Sequence, residues 1–325
     1  MAESTEALWY TGPGTAEIRP TPLPAMADGL VEIETVASLL SRGTERLVFE
    51  GRVPESEHVR MRAPLQDGAF PFPVKYGYAA AGRVTAGPES LLGRDVFTLA
   101  PHQRRLRVPE TMALPLPEGV TARSAVLAAN VETALNATWD AEIPPGAHVL
   151  VVGLGLVGLL VTAVLSRRAD IRTTATDLLQ ERAVIAERFS VNFATASTPP
   201  PPGSVDLAFH TSASAAGLTL ALNALRFEGT VIELSWYGAE PVPVPLGGAF
   251  HSQRFTIKSS QVGHVAPSRR ATVTHRDRLA RALALCADPR LEAVVSEEVD
   301  FSALPGQISR LLAPGAPGIA TRIRY

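Results

Sequence analysis

The sequence predicts an α/β protein in which a doubly wound parallel sheet follows a β-rich segment. Three observations carry this prediction. The first 118 residues consist of short alternating stretches separated by turn residues. From His148 onward, apolar strand-like runs alternate with helix-like ones, which is the pattern of parallel strands joined by right-handed crossovers. Gly153, Gly155 and Gly158 stand directly between the first such strand and the first such helix.

Composition bounds the answer. A chain of 325 residues is long for one hydrophobic core and predicts two domains. Hydrophobic residues make up 46% and charged residues 19%, a globular balance. The net charge is -2 and the pI about 6.4, so neither nucleic acid nor an anionic membrane is expected as a partner. The short clusters at Arg104, Arg105 and Arg107, and at Arg269 and Arg270, read as solvated surface. Met1-Ala-Glu-Ser-Thr-Glu6 lacks a basic n-region, so no signal peptide is expected. The apolar stretch 149–165 is interrupted by three glycines and reads as a strand and a helix rather than a membrane span. Cys286 is the only cysteine, which excludes an intramolecular disulfide and a thiolate zinc cage. A soluble cytoplasmic protein is the expectation.

Taken in order, Leu30–Val36 alternates Val31, Ile33 and Thr35 against Glu32 and Glu34, as a half-buried strand does. The tract Phe70–Val84 passes from prolines through glycines and small residues into a strand. Asp95–Leu99 and Arg105–Val108 are further strands, and the whole segment reads as barrel-like. Pro115, Pro117 and Gly119 mark a boundary. A helix follows over Ala122–Ala141, with Thr121 as its N-cap, and Pro144-Pro-Gly146 ends it. His148–Val152 is a strand and Leu156–Arg168 a helix. Ile171–Thr176 is a strand, and Leu179–Phe189 a helix with Val184, Ile185 and Phe189 on one face. Pro199–Pro202 is a loop. Val205–Phe209, Thr230–Leu234 and Arg254–Ser259 are strands, with a helix over Ala215–Leu225. Val242–Leu246 has two residues without an N–H and is admissible only as an edge strand. A helix over Arg276–Ala287 and a strand over Ile319–Tyr325 complete the chain.

The three glycines satisfy G-x-G-x-x-G in the context that gives the motif meaning. The first permits a tight turn, the second lets a pyrophosphate approach the backbone, and the third lets helix and strand pack closely. Free N–H groups at the helix start would then receive the anion. The cofactor set is accordingly Gly153, Gly155, Leu156, Val157, Gly158, Asp177, Thr211 and Ser212. Asp177 lies 19 residues beyond Gly158, at the end of the next strand, where a carboxylate accepts from the adenosine ribose hydroxyls and disfavours a 2′-phosphate. NAD is expected, with NADP possible because Arg182 is close in sequence; a helix cap is the other reading of Asp177. This is the Rossmann pattern.

Placed mid-chain, the fingerprint makes the sequence resemble the medium-chain dehydrogenase/reductase superfamily over nearly its whole length. Pro144-Pro-Gly-Ala-His-Val-Leu-Val-Val-Gly153 resembles the entry to its nucleotide domain. Gly77-Tyr-Ala-Ala-Ala-Gly82 sits where that family has glycine, histidine, glutamate, two small residues and glycine. Leu40-Ser-Arg-Gly-Thr-Glu45 with Gly51 resembles the segment of the first zinc-binding cysteine, and Glu132-Thr-Ala-Leu-Asn-Ala137 the stretch beside the nicotinamide. Glu233-Leu-Ser-Trp-Tyr-Gly238 and Ser259-Ser-Gln-Val-Gly263 resemble a bacterial zinc-binding alcohol dehydrogenase-like subgroup related to bacteriochlorophyllide dehydrogenase. The resemblance implies a GroES-like catalytic domain over 1–120 and 263–325, with the Rossmann domain at 121–262. It also implies a cleft holding the nicotinamide, and a homodimer through an edge near Val242–Leu246.

The zinc ligands of that family are missing. Ser41-Arg42 replaces the cysteine region, Tyr78 the histidine, Ala79 the glutamate, and Ala128-Ala-Asn130 the third-ligand region. Serine, tyrosine and alanine do not substitute for thiolate and imidazole, so no zinc is expected. His102, Glu132 and His251 have no local metal-binding spacing. Tyr78 is then the candidate donor to a substrate oxygen, helped by Arg42 or Lys75; a packing role is the other reading. Glu132 with Thr133 orients a proton relay or the nicotinamide ribose, or forms a salt bridge. Trp236 and Tyr237 line a substrate cleft or the core, and His251 relays protons or is structural. His102 reads as an ordinary structural histidine.

The expected activity is zinc-independent hydride transfer to or from a small carbonyl, alcohol, enone or quinone. A non-catalytic dinucleotide-binding redox sensor is the alternative from another class. A zinc alcohol dehydrogenase with unusual ligands is the third.

Overall fold

The computed structural model describes residues 3–195 and 197–325. The chain divides into two compact units, Met1–Ala129 with Leu283–Tyr325, and Asn130–Ala282.

The first unit is β-rich. Its larger sheet runs through Val295–Asp300, Ala320–Arg324, Leu30–Leu40, Ala80–Ala86, Asp95–Thr98 and Leu114–Pro115, with Arg105–Pro109 also pairing on Leu30–Leu40. A second sheet holds Thr15–Pro22, Ser4–Gly12, Val74–Lys75 and Asp67–Gly68. The strand expected over Leu30–Val36 continues to Leu40. The alternation persists along it, with Val31, Ile33, Thr35, Ala37 and Leu39 buried and Glu34 and Val36 exposed, as side chains of period two require. A register shift lies between Thr35 and Ala37, and beyond it Ser38 and Leu40 are buried as well. The basic cluster is matched by acids: Arg104 pairs with Glu6, Arg105 with Glu3 and Arg107 with Glu32.

The second unit carries six parallel strands: β1 (His148–Val152), β2 (Arg172–Asp177), β3 (Asn192–Thr195), β4 (Val205–His210), β5 (Leu225–Glu233) and β6 (Thr256–Ser259). Their order is β3-β2-β1-β4-β5-β6, so the direction of winding reverses between β1 and β4. All five residues of β1 are buried, as expected for a central strand covered on both faces. Val149, Leu150 and Val151 are fully buried, and each stabilises the fold by roughly 1.5–3 kcal/mol relative to exposure. Helices α1 (Ala128–Ala141), α2 (Leu156–Leu165), α3 (Ala183–Arg188), α4 (Ala215–Ala224) and α5 (His275–Leu285) accompany the sheet. Leu218, Ala221 and Leu222 of α4 pack with Leu150, Ala208 and Val231.

Three expectations are corrected. The helix over Ala122–Ala141 is two helices, Ala122–Ala125 and α1. Thr121 does cap the first, accepting from Ser124 N while Ser124 Oγ accepts from Thr121 N. The helix expected over Leu179–Phe189 starts as a 3₁₀ turn, Gln180–Arg182. That tighter turn shifts the buried stripe to Arg182, Ala186 and Phe189, and leaves Val184 exposed. Val242–Leu246 forms no strand. Pro241, Pro243 and Pro245 remove alternate N–H donors, so no ladder can run along it.

Candidate functional site: a nucleotide-binding crevice

Strand β1 delivers the chain into the fingerprint at Gly153, whose φ is +95°. A Cβ there would also lie 2.7 Å from Ser212 Cα, so glycine is required twice. Gly158, inside α2, sits 1.9 Å (measured from its would-be Cβ) from the Gly153 carbonyl and 2.6 Å from Thr211 Oγ1. These two glycines are needed by the protein's own packing. Gly155 is different. It is the N-cap of α2, with φ -70°, and a Cβ there meets no protein atom within 4 Å. Nothing in the chain itself requires glycine at that position, and the space outside it is open. Helix α2 begins with no side-chain cap and no acid in its first turn, so its leading N–H groups are aimed outward with the positive end of the helix dipole. Leu156 is buried and Val157 half-buried.

Asp177 ends β2. Its Oδ2 accepts from Leu154 N at 2.5 Å and its Oδ1 from Leu179 N at 2.8 Å. The carboxylate thus holds the fingerprint loop against the second strand and caps the turn that follows. Each of its oxygens retains a further lone pair. Arg182 is buried.

Across the reversal point, Thr211 closes onto the same loop. Its N–H bonds Val152 O at 2.9 Å and its Oγ1 bonds Gly153 O at 2.6 Å. The loop and Thr211–Ser212 therefore flank the carboxyl ends of β1 and β4, where open parallel sheets bind ligands.

Beside them lies a network for which no motif or spacing in the sequence gives a signal. His210, fully buried at the end of β4, pairs in register with Glu233 at the end of β5. His210 Nδ1 is 2.7 Å from Glu233 Oε2 and Nε2 is 2.7 Å from Ser212 Oγ. Tyr237 Oη donates to Glu233 Oε2 at 3.3 Å. Burial, followed by the Glu233 charge, pushes the Tyr237 phenol up to about 12. Trp236 is half-buried, and His251 is exposed on the short helix Ala249–Ser252.

Glu132 and Thr133 lie on α1. The Glu132 carboxylate is buried and accepts from Arg278 Nε at 2.9 Å. Burial raises its pKa, with Arg278 opposing the shift. Of the roles considered, the salt bridge describes its contacts. Arg278 also donates to Asn136 Oδ1 and to the carbonyls of His264 and Val262, so the pair ties α1, the 262–264 loop and α5 together. Thr133 is half-buried.

In the first unit, Tyr78 is half-buried and meets Tyr76 edge-on, with ring centroids 6.1 Å apart. The two cations expected to assist it have partners of their own. Arg42 donates to the carbonyls of Pro317 and Ala316, both at 2.7 Å. Lys75 is buried 3.8 Å from Asp67, and burial lowers its pKa. Both cations sit where backbone carbonyls or a carboxylate replace their lost hydration. His102 is fully buried, with Nε2 2.9 Å from Glu45 Oε2 and Nδ1 2.8 Å from Ser38 Oγ.

The residues at Gly153–Gly158, Asp177 and Thr211–Ser212 fit a dinucleotide, because the one glycine the protein does not need borders open space. Ser41, Tyr78 and Ala79 offer neither thiolate nor imidazole, and among the described residues no group of three or more His, Cys, Asp or Glu is placed to hold a metal.

No family model matches the chain. Solved structures match it end to end. L-idonate 5-dehydrogenase from Escherichia coli superposes with a TM-score of 0.82 at 13% identity, over 100% of this chain and 99% of that one. A Sinorhizobium meliloti protein bound to NADP, provisionally assigned to the zinc-binding dehydrogenases, gives 0.78 at 16%, over 99% and 100%. A short chain alcohol dehydrogenase from Escherichia coli CFT073 complexed with NADH gives 0.76 at 14%, over 99% of each. The chain has the fold of these dehydrogenases, a parallel Rossmann sheet with a separate β-rich unit. Among the described residues no helix is long and apolar enough to cross a membrane.

Proposed function

We propose that this protein is an NAD(P)-dependent oxidoreductase of the medium-chain type, acting without zinc on a small carbonyl, alcohol, enone or quinone. The observation that carries the proposal is the contrast among the three glycines. Gly153 and Gly158 are closed in by protein, while Gly155 borders open space at an uncapped helix start. A pyrophosphate is the group that needs such a surface. Support comes from proteins of the same fold that hold NADP and NADH.

A bound nicotinamide supplies hydride chemistry, and the protein supplies position and hydrogen bonds. Leading N–H groups of α2 hold the pyrophosphate, and Asp177 receives the ribose hydroxyls through its remaining lone pairs. Tyr78 is proposed as the donor to the substrate oxygen. Glu132 acts through its ion pair, holding Thr133 and α1 in place. The nucleotide-binding part falls within 121–262, and a cytoplasmic homodimer is proposed, with β6 as the available sheet edge.

Turnover of NADH and NADPH against quinones, enones and aldehydes tests this. Oxidation of the cofactor, lowered at least tenfold in kcat by Tyr78→Phe with unchanged cofactor Kd, is expected if Tyr78 is a general acid. Activity should survive chelation, with no stoichiometric zinc by elemental analysis. Tight cofactor binding with no oxidation across the panel would instead support a non-catalytic redox sensor.

A further inference from the structure

With His210 neutral, two anchors fix the proton directions in the network at the ends of β4 and β5. At one end Glu233, as a carboxylate, can only accept. It accepts from Tyr237 Oη, from Ser235 N at 2.8 Å, and from His210 Nδ1. A neutral imidazole with its proton on Nδ1 has a bare Nε2, which accepts from Ser212 Oγ. At the other end, the N–H of Gly217 can only donate, and it donates to Ser214 Oγ at 3.0 Å as the N-terminal cap of α4. Ser214 Oγ lies 3.0 Å from Ser212 Oγ. Because the Ser212 proton is committed to His210, Ser214 is the donor in that contact. Ser212 Oγ has two lone pairs, and Ser214 takes one. The other remains open.

Local structure keeps this hydroxyl where it is. A Cβ on Gly217 would lie 2.2 Å from Ser212 Oγ and 2.9 Å from His210 Nε2, so only glycine leaves room for the chain of bonds. Ser212 itself packs against Gly153 of the fingerprint. The next residue, Ala213, is exposed and has a φ of +50°, held by a bond from its N–H to Ser235 Oγ at 3.1 Å. An alanine in the left-handed region is strained, and here the strain falls beside the open lone pair.

A dinucleotide spans the reversal point of such a sheet. With the adenosine ribose on Asp177 at β2, the other half lies over β4 and β5. We propose that Ser212, polarised by His210 and Glu233, is the acceptor for the amide N–H of the nicotinamide carboxamide. His210 and Glu233 are positioning residues, and Ser212 is a cofactor-specificity residue. The network selects a ring substituent that donates a hydrogen bond. This rests on the dinucleotide reading above.

The test compares three ligands on the full chain by fluorescence or calorimetric titration: NADH, its reduced 3-acetylpyridine analogue, in which a methyl group replaces the amide nitrogen, and ADP-ribose. The wild type should prefer NADH over the analogue by about fivefold or more, the value of one neutral hydrogen bond. In Ser212→Ala that preference should collapse to about unity, with ADP-ribose still bound. Glu233→Leu removes the acceptor that holds the proton on Nδ1 and should lower the preference as well. If wild type shows no preference while binding ADP-ribose, this proposal fails and the dinucleotide reading stands. Retention of the preference in a Ser212→Ala protein that still binds ADP-ribose also overturns it. Should Ser212→Ala not fold, retention in Glu233→Leu decides against it. Failure of the wild type to bind any of the three ligands overturns both readings.

Discussion

Arg278 and Glu132 form an ion pair at 2.9 Å between side chains only 2% and 6% exposed. Taking both charges out of water is costly. The guanidinium recovers that cost through Asn136 and the carbonyls of Val262 and His264. Removing one partner leaves the other charged and buried. Glu132→Ala is therefore expected to destabilise the protein by about 3–5 kcal/mol, read from chemical denaturation of the full chain. Destabilisation below about 1 kcal/mol would mean that the pair behaves like a surface contact.

The three glycines should separate under substitution. Gly153→Ala combines a positive φ with a contact of 2.7 Å on Ser212, and should lower the melting temperature. Gly155→Ala has an ordinary φ and open space, so stability should hold. Dinucleotide binding should fall at least tenfold, because the methyl group occupies the approach of the pyrophosphate. Unchanged NADH affinity in a folded Gly155→Ala protein would count against the crevice as the binding surface.

Asp177 performs two tasks, and a substitution should reveal both. Asp177→Ala frees the N–H groups of Leu154 and Leu179 and removes the repulsion of a 2′-phosphate. NADH affinity should drop by roughly an order of magnitude, while NADPH is affected less. The ratio of the two dissociation constants is the measurement. A constant ratio would restrict Asp177 to its capping role.

His148 predicts an acid limb to stability. Burial is the main cause of its lowered pKa, with the Ser204 carbonyl opposing. A base whose folded pKa lies below its unfolded value of about 6.5 binds fewer protons when folded. Its contribution is present above about pH 6.5 and is lost as pH falls towards the folded value. Melting temperature should decline on acidification through that window, and His148→Gln should flatten the decline. An identical pH profile in the variant would sink the assignment.

Legibility in the sequence followed the range of the interactions concerned. The strand–turn–helix around Gly153 was readable because its glycines, apolar run and following acid are local. The strand over Leu30–Val36 was readable from its alternation, but its continuation to Leu40 was not, because Ser38 and Leu40 are buried along with Ala37 and Leu39 and the period-two pattern ends there. Val184 was misplaced because a 3₁₀ turn changes the angular step before the helix begins. The 242–246 segment was offered as an edge strand, yet its prolines leave no ladder to complete.

The G-x-G-x-x-G fingerprint, and the lack of thiolate or imidazole at Ser41, Tyr78 and Ala79, were determined by the sequence alone, since both depend on residue identity. Only the tertiary structure decided that Glu132 is spoken for by Arg278, 146 positions away, and that His210, Glu233 and Ser212 share one hydrogen-bond chain. The first joins two helices, and the second arises where parallel strands end side by side. Parallel pairing joins segments separated by a whole crossover, so no local pattern in the chain announces which side chains will meet.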